Sequence, residues 1–256
     1  MRTRKALIAG NWKMHATVAD GCRLALDVAK TCSNFVDREV LIAPPFTILS
    51  EVAHVLSGSN ILIASQNVCW AEKGAFTGEI SPVMVKDAGG RAAIVGHSER
   101  RQIFGETDEL INSRVKGSLT FGLLTILCIG ETLGERESGQ TFQVLTEQLR
   151  KGLASLTVPD MANIVIAYEP VWAIGTGKTA SKEQAQEVHI FIRGILAQIF
   201  EKTIAEQTRI LYGGSVKPTN IDELMAQKDI DGVLVGGAAL DAQSFGRIIN
   251  FQEMEI

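Results

Sequence analysis

A closed (β/α)8 barrel, an α/β fold of eight parallel strands ringed by outer helices, is the architecture this sequence predicts. Two observations carry it. Short apolar runs alternate in strict order with helical patterns, eight of each. Each run is apolar on both faces, as strands buried in a parallel sheet are. The second observation is a negative one. The first run ends in Gly10-Asn11-Trp12-Lys13, where a doubly wound nucleotide-binding sheet would place a GxGxxG turn. Eight units in strict succession also suit closure better than an open sheet.

The elements follow in order. Ala-Leu-Ile-Ala at 6–9 precedes a helical pattern over 18–30, and Val-Leu-Ile-Ala at 40–43 precedes one over 46–56. Ile-Leu-Ile-Ala-Ser at 61–65 leads through a long loop to a helix over 82–88, where Ser81-Pro82 places Pro at the helix start. Ala-Ala-Ile-Val at 92–95 is followed by a helix over 106–118, and Leu-Thr-Ile-Leu-Cys-Ile at 124–129 by one over 137–155. After Ile-Val-Ile-Ala-Tyr at 164–168, the helix over 181–202 opens with Ser181-Lys182-Glu183-Gln184, which has the form of a capping box. Arg-Ile-Leu-Tyr at 209–212 precedes Lys217-Pro218 and a helix over 219–227. Gly-Val-Leu-Val at 232–235 precedes the last helix, over 239–250. No linker or low-complexity tract divides the chain, so residues 1–256 are expected to form one barrel domain.

Composition narrows the function classes. The chain has 256 residues, 46% hydrophobic and 21% charged, as ordinary globular proteins do. A net charge of −4 without a basic run argues against nucleic acid as a partner. An anionic substrate would have to be attracted locally, against the global field. Cys22, Cys32, Cys69 and Cys128 form no CxxC pair, which fits reduced thiols in a cytosolic protein. The four histidines are scattered, so no metal set is expected. Arg2, Arg4 and Lys5 precede too short an apolar stretch for a signal sequence, and no run reaches membrane-spanning length. The expectation is a cytoplasmic protein without a membrane partner.

Residues 163–180 are the most informative stretch. A carboxylate, Glu169, stands at the C-terminal end of a buried strand, where packing does not ask for it. Behind it come stiff Pro170, then Val171, Trp172 and Ile174, and then Gly175-Thr176-Gly177-Lys178. That is the composition of a mobile, water-excluding lid over a general base. In a barrel, the C-terminal ends of all strands meet at one rim, where active sites are built. The first strand brings Asn11 and Lys13 to it, and the fourth brings Gly96-His97-Ser98-Glu99-Arg100-Arg101. The seventh and eighth bring Gly213-Gly214-Ser215 and Gly236-Gly237-Ala238-Ala239. With Ser98 as N-cap, the helix N-terminus would oppose a positive charge and hold His97 neutral. Glu99 would pair with Arg100, Arg101 or the helix end. The two glycine-rich loops occupy the usual phosphate site of such barrels, where backbone N–H groups can hold a dianion. Cys128 reads as a small core residue, and Trp172 as part of the lid.

Together, Ala9-Gly10-Asn11-Trp12-Lys13, Gly96-His97-Ser98-Glu99-Arg100-Arg101, the run from Tyr168 through Glu169-Pro170-Val171-Trp172 to Gly177, and Tyr212-Gly213-Gly214-Ser215 resemble the triosephosphate isomerase family. The resemblance covers essentially the whole chain. It implies interconversion of dihydroxyacetone phosphate and glyceraldehyde 3-phosphate without a cofactor or metal. Base, neutral imidazole and lid are that family's known devices. By residue matching, Glu169 is the base and His97 the electrophile, while Lys13 and Asn11 stabilise developing negative charge. Gly175, Ser215, Gly236 and Gly237 hold the phosphate, Ser98 and Glu99 stand behind them, and residues 170–180 form the lid. One departure is Ala239, where the family usually has Ser; the backbone amides that carry the anion are unaffected. The resemblance also implies a homodimer through the loop of residues 67–78, which starts at Asn67, ends at Gly78 and carries Val68, Cys69, Trp70 and Phe76. Thr77 would then lie near the partner's Asn11 and the partner's His97. Two rivals keep the same residues: a glycosidase using Glu99 and Glu169 as its carboxylate pair, and a phosphate-binding barrel without chemistry.

Overall fold

Strand-forming runs become a closed ring of eight parallel strands in sequence order, β1 through β8. The computed structural model describes residues 4–32, 35–174 and 180–253. The strands are β1 (Ala6–Asn11), β2 (Arg38–Ala43), β3 (Ile61–Ser65), β4 (Ala92–Val95), β5 (Leu124–Ile129), β6 (Ile164–Tyr168), β7 (Arg209–Tyr212) and β8 (Gly232–Val235). Register brings their C-terminal ends level: Asn11 pairs with Ala43, Gly10 with Val235, and Tyr168 with both Ile129 and Tyr212. The ring closes where β8 meets β1. There Gly232, at φ +152°, lies so near the Leu7 carbonyl that a Cβ would sit 2.0 Å from its oxygen, so only glycine fits.

Two apolar layers follow from the strand period of two. Alternate residues such as Leu7, Ala9, Leu41, Ile94, Ile126 and Val165 form a cluster of strand side chains alone, which fills the barrel. The intervening ones, among them Ile8, Ile42, Val95, Leu127 and Ile166, pack with the surrounding helices.

The helices are α1 (Val18–Thr31), α2 (Phe46–Val55), α3 (Pro82–Asp87), α4 (Ser98–Gln102), α5 (Asp108–Thr120), α6 (Leu133–Glu137), α7 (Thr141–Gly152), α8 (Lys182–Ile199), α9 (Lys202–Gln207), α10 (Ile221–Met225) and α11 (Ala242–Ile249). Ser81 caps α3 with Pro82 in its first turn, and Ser181 and Gln184 form the expected capping box of α8. Three expected helices are interrupted. Of the 137–155 stretch, α7 forms only from Thr141 to Gly152; Glu137 instead closes the separate α6, and Gly139, at φ 73°, stands between the two. The 181–202 stretch breaks at Phe200 before α9. The 239–250 stretch is a short 3-10 turn, Gly237–Leu240, followed by α11, which Asp241 caps.

A buried ion network ties α8 and α9 to the segment before β8. Arg193 bonds Asp229 and Asp231, each at 2.7 Å, and donates to the carbonyls of Ala205 and Thr208. Removing one partner of such a network typically costs about 3–5 kcal/mol, since a charge is left buried and alone. Among the described residues, no helix is long and apolar enough to cross a membrane.

Candidate active site

The site begins where β1 ends. Lys13 takes a left-handed conformation, φ 52°, which costs a non-glycine residue roughly 1–2 kcal/mol. Two side chains hold it there. Asn11 Oδ1 accepts the Lys13 N–H at 3.0 Å, and Gln66 Nε2 donates to the carbonyls of Lys13 (2.8 Å) and Ala43 (2.9 Å). The Lys13 ammonium then reaches Glu99 Oε1 at 2.6 Å.

After β4 the chain turns at Gly96, φ 73°, and enters α4. The N-cap is His97 itself, not Ser98 as the sequence suggested. Its Nδ1 accepts the Glu99 N–H at 3.2 Å, as a capping oxygen would. An accepting Nδ1 carries no proton, so the neutral ring presents Nε2–H to Glu169 Oε1, 3.0 Å away. Ser98 contributes its main chain: its N–H donates to Glu169 Oε2 at 2.8 Å. The Arg101 guanidinium braces this turn through the carbonyls of Gly96 and Cys128. Glu99 pairs with Lys13 rather than with Arg100, Arg101 or the helix end, because closing the barrel sets β1 and β4 loops face to face. A carboxylate so engaged is poorly free to flank a glycosidic bond.

Glu169 is 1% exposed at the end of β6. Burial opposes its charge, but His97, the Ser98 N–H and Lys13 outweigh burial and hold the carboxyl below the ordinary glutamate range. For His97, burial likewise opposes charge, while the Glu169 carboxylate outweighs it and raises the imidazole. The Glu99 N–H on Nδ1 opposes protonation of that nitrogen. Cys128, buried beside Glu169, has its thiol pushed well up by burial and stays an uncharged core group.

The first limb of the expected lid is a 3-10 turn, Val171–Ala173. It is tied to Glu131 at the β5 rim, whose Oε1 accepts from Trp172 Nε1 (2.9 Å), Tyr168 OH (3.1 Å) and Arg136 (3.1 Å). Gly175, expected at the phosphate, lies outside the described residues. The glycine loops complete the rim. Gly213 donates its N–H to the Tyr168 carbonyl at 2.7 Å, and Asn220 clamps the Ser215–Lys217 turn by bonding Ser215 O and the Lys217 N–H. Among the described residues, the N–H groups of Ser215, Gly236 and Gly237 meet no protein acceptor.

Asn11, Lys13, His97, Glu169, Ser215, Gly236 and Gly237 all line one cavity of about 370 Å³, together with Ala173, Ile174 and Lys217. A second cavity, about 470 Å³, opens at the other end of the barrel. Its charged groups are engaged: Lys5 with Glu39, and Arg38 with the carbonyls of Ile249 and Phe251. Among the described residues, no group of His, Cys, Asp or Glu side chains is arranged to hold a metal ion.

The sequence passed over Gln66 and Glu131. Each follows a strand end, β3 and β5 respectively, so the signal was their place at the rim. Their partners lie across neighbouring strands and cannot be read from local pattern.

Comparison with known proteins bears on the chain as a whole. The Triosephosphate isomerase family model matches residues 6–252. Triosephosphate isomerase of Geotalea uraniireducens is 53% identical over 250 residues, covering 98% of this chain and 100% of its own. That of Syntrophotalea carbinolica is 54% identical over 249 residues, 97% of this chain and 99% of its own. That of Thermoanaerobacter sp. is 50% identical over 248 residues, with 97% and 100% covered. With a family match that spans the whole barrel and rim, this chain belongs to the triosephosphate isomerase family and is an isomerase.

Proposed function

We propose that the protein interconverts dihydroxyacetone phosphate and D-glyceraldehyde 3-phosphate without a cofactor, by proton transfer through an enediolate. One observation supports this above all: a buried carboxylate meets an imidazole Nε2 at 3.0 Å on the wall of the cavity that free backbone amides also line. Substrate entering between the two would take over both contacts. Glu169 would accept the proton from the carbon beside the carbonyl, and His97 Nε2–H would bond the carbonyl oxygen. The electron pair of the broken C–H bond then forms the enediolate double bond. His97 passes a proton between the two oxygens, and Glu169 returns its proton to the neighbouring carbon. Lys13 and Asn11 stand where negative charge develops, and in a dry cavity such groups stabilise it strongly. Once the carboxylate turns to the substrate, the largest influence that raises the imidazole is removed, while burial and the nearby Lys13 still oppose its charge. Ser215, Gly236 and Gly237, with Gly175, would hold the phosphate through N–H groups.

Catalysis would take place in a homodimer of single-domain subunits in the cytoplasm. The base of the 67–78 loop is buried at Val68 and Cys69, and Arg114 holds it through the Val68 carbonyl at 2.7 Å. Its tip is exposed, with Trp70 and Phe76 packed edge to face at 5.2 Å. Met14, Ile103 and Phe104 are exposed at 93%, 71% and 65%, on the loops after β1 and α4. A preformed apolar surface of this kind suits a twofold, self-complementary contact.

A coupled assay of triose phosphate isomerisation by the purified protein tests the activity. Glu169→Asp draws the carboxylate back by roughly 1 Å, a displacement that can cost about 10²-fold in rate. We expect kcat to fall that far with little change in KM. No isomerisation by the wild type, or an Asp variant of equal activity, would overturn the assignment.

A further inference from the structure

Among the described residues, two lysines line the active cavity, and their ammonium groups are differently placed. Lys13 is committed to Glu99 at 2.6 Å. Lys217 is exposed and in no ion pair among the described residues. Its backbone is nevertheless fixed: the Lys217 N–H donates to Asn220 Oδ1 at 2.8 Å, and Asn220 Nδ2 donates to Ser215 O at 3.0 Å. Pro218 further confines the residue before it to extended conformations. One rigid turn therefore carries both an unpaired Ser215 N–H inside the cavity and a free ammonium at its edge.

The charge of the whole chain makes that ammonium matter. Net charge is −4, so an approaching dianion is repelled at long range. A local positive charge at the mouth of a cavity offsets that repulsion and raises the association rate. We propose that Lys217 is an electrostatic collector for the phosphate group of the substrate, acting on capture before the chemical step. The inference rests on the triose phosphate reading of the site.

One positive charge acting on a dianion through water over roughly 7 Å changes capture by about three- to tenfold at low salt. At about 0.15 M salt, where the screening length is near 8 Å, about twofold remains. The test measures kcat/KM and kcat from about 10 mM to 0.2 M ionic strength for wild type, Lys217→Ala, Lys217→Arg and Lys228→Ala. Lys228 is exposed before β8, at the opposite end of the barrel, so its removal changes net charge equally without touching the mouth. Lys217→Ala is expected to lower kcat/KM about three- to tenfold at low salt and to flatten its salt dependence, with kcat much less affected. Lys217→Arg should restore both the value and the slope, and Lys228→Ala should match wild type. An equal loss in Lys228→Ala, or a Lys217→Ala loss that does not shrink with salt, would overturn the collector. If wild type isomerises no triose phosphate, the underlying reading falls instead. Inorganic phosphate binding by titration calorimetry then decides separately: weaker binding by Lys217→Ala than by Lys228→Ala supports the collector, and equal binding removes it.

Discussion

Gly213 stands directly behind the proposed base, and adding one methyl group there tests whether the position of Glu169 sets the rate. A Cβ at residue 213 would lie 2.9 Å from Glu169 Cγ and 3.2 Å from the Tyr168 carbonyl oxygen. Carbon atoms pack comfortably at about 3.5–4.0 Å, so something must retreat by roughly 0.6–1 Å. The Tyr168 carbonyl accepts the Gly213 N–H and is held at the sheet edge, whereas the Glu169 side chain can rotate. The carboxylate therefore yields, and its contacts to the Ser98 N–H and His97 Nε2 are misaligned. A displacement near 1 Å corresponds to about 10²-fold in rate, so Gly213→Ala should lower kcat by about 30- to 100-fold. KM should move less than about threefold, because the amides of residues 215, 236 and 237 stay in place. Overpacking should also cost about 1–3 kcal/mol of stability. Steady-state kinetics in the coupled assay measure the first effect and thermal melting the second. Gly194→Ala is the control: it is exposed in α8, with nothing within 4 Å of the new methyl. It should gain up to about 1 kcal/mol from helix propensity and keep its kcat. A Gly213→Ala enzyme with kcat within twofold of wild type would refute the argument that Glu169 is positioned by the space behind it.

Other expectations follow from separate features. His189 is fully buried, and burial lowers its pKa to about 3, so the folded state keeps it neutral. Below its unfolded value of about 6.5 the unfolded chain binds a proton that the folded chain refuses, and stability falls by roughly 1.4 kcal/mol per pH unit from about pH 6.5 down to about pH 3. Urea titrations at pH 7 and pH 5 should show His189→Gln losing about 2 kcal/mol less than wild type over that interval; equal losses would count against the assignment. Thr77→Glu would bury an unpaired charge in the proposed dimer contact and should sediment as a monomer with most activity gone, although Glu169 is untouched. Wild-type protein that sediments as a fully active monomer at micromolar concentration would dismiss the dimer. Glyceraldehyde, which lacks the phosphate, should turn over far more slowly even at saturation, because remote binding energy prepares the reacting site. Comparable turnover would remove the phosphate loops from catalysis.

The amino-acid sequence alone determined the barrel and the composition of its rim. Parallel strands buried on both faces must be short apolar runs, so the bounds of β3 through β8 could be read from the chain. Site groups carried in contiguous motifs, such as Gly96 to Arg101 or the stretch around Glu169, were legible for the same reason: each sits immediately after a strand. Helix bounds were less so, since breaks at Gly139 and Phe200 turn on one residue's backbone within a longer helical pattern. Only the tertiary structure decided who touches whom. Glu99 meets Lys13 across 86 residues of chain, Glu169 meets Ser98 across 71, and Gln66 reaches back 53 to hold the Lys13 turn. Caps and periodicity act over a few residues, whereas these pairs exist because eight strands of fixed register close into a ring. Closure made His97, already the local cap of α4, the partner of Glu169, and it placed Gly213 where a side chain would displace the base.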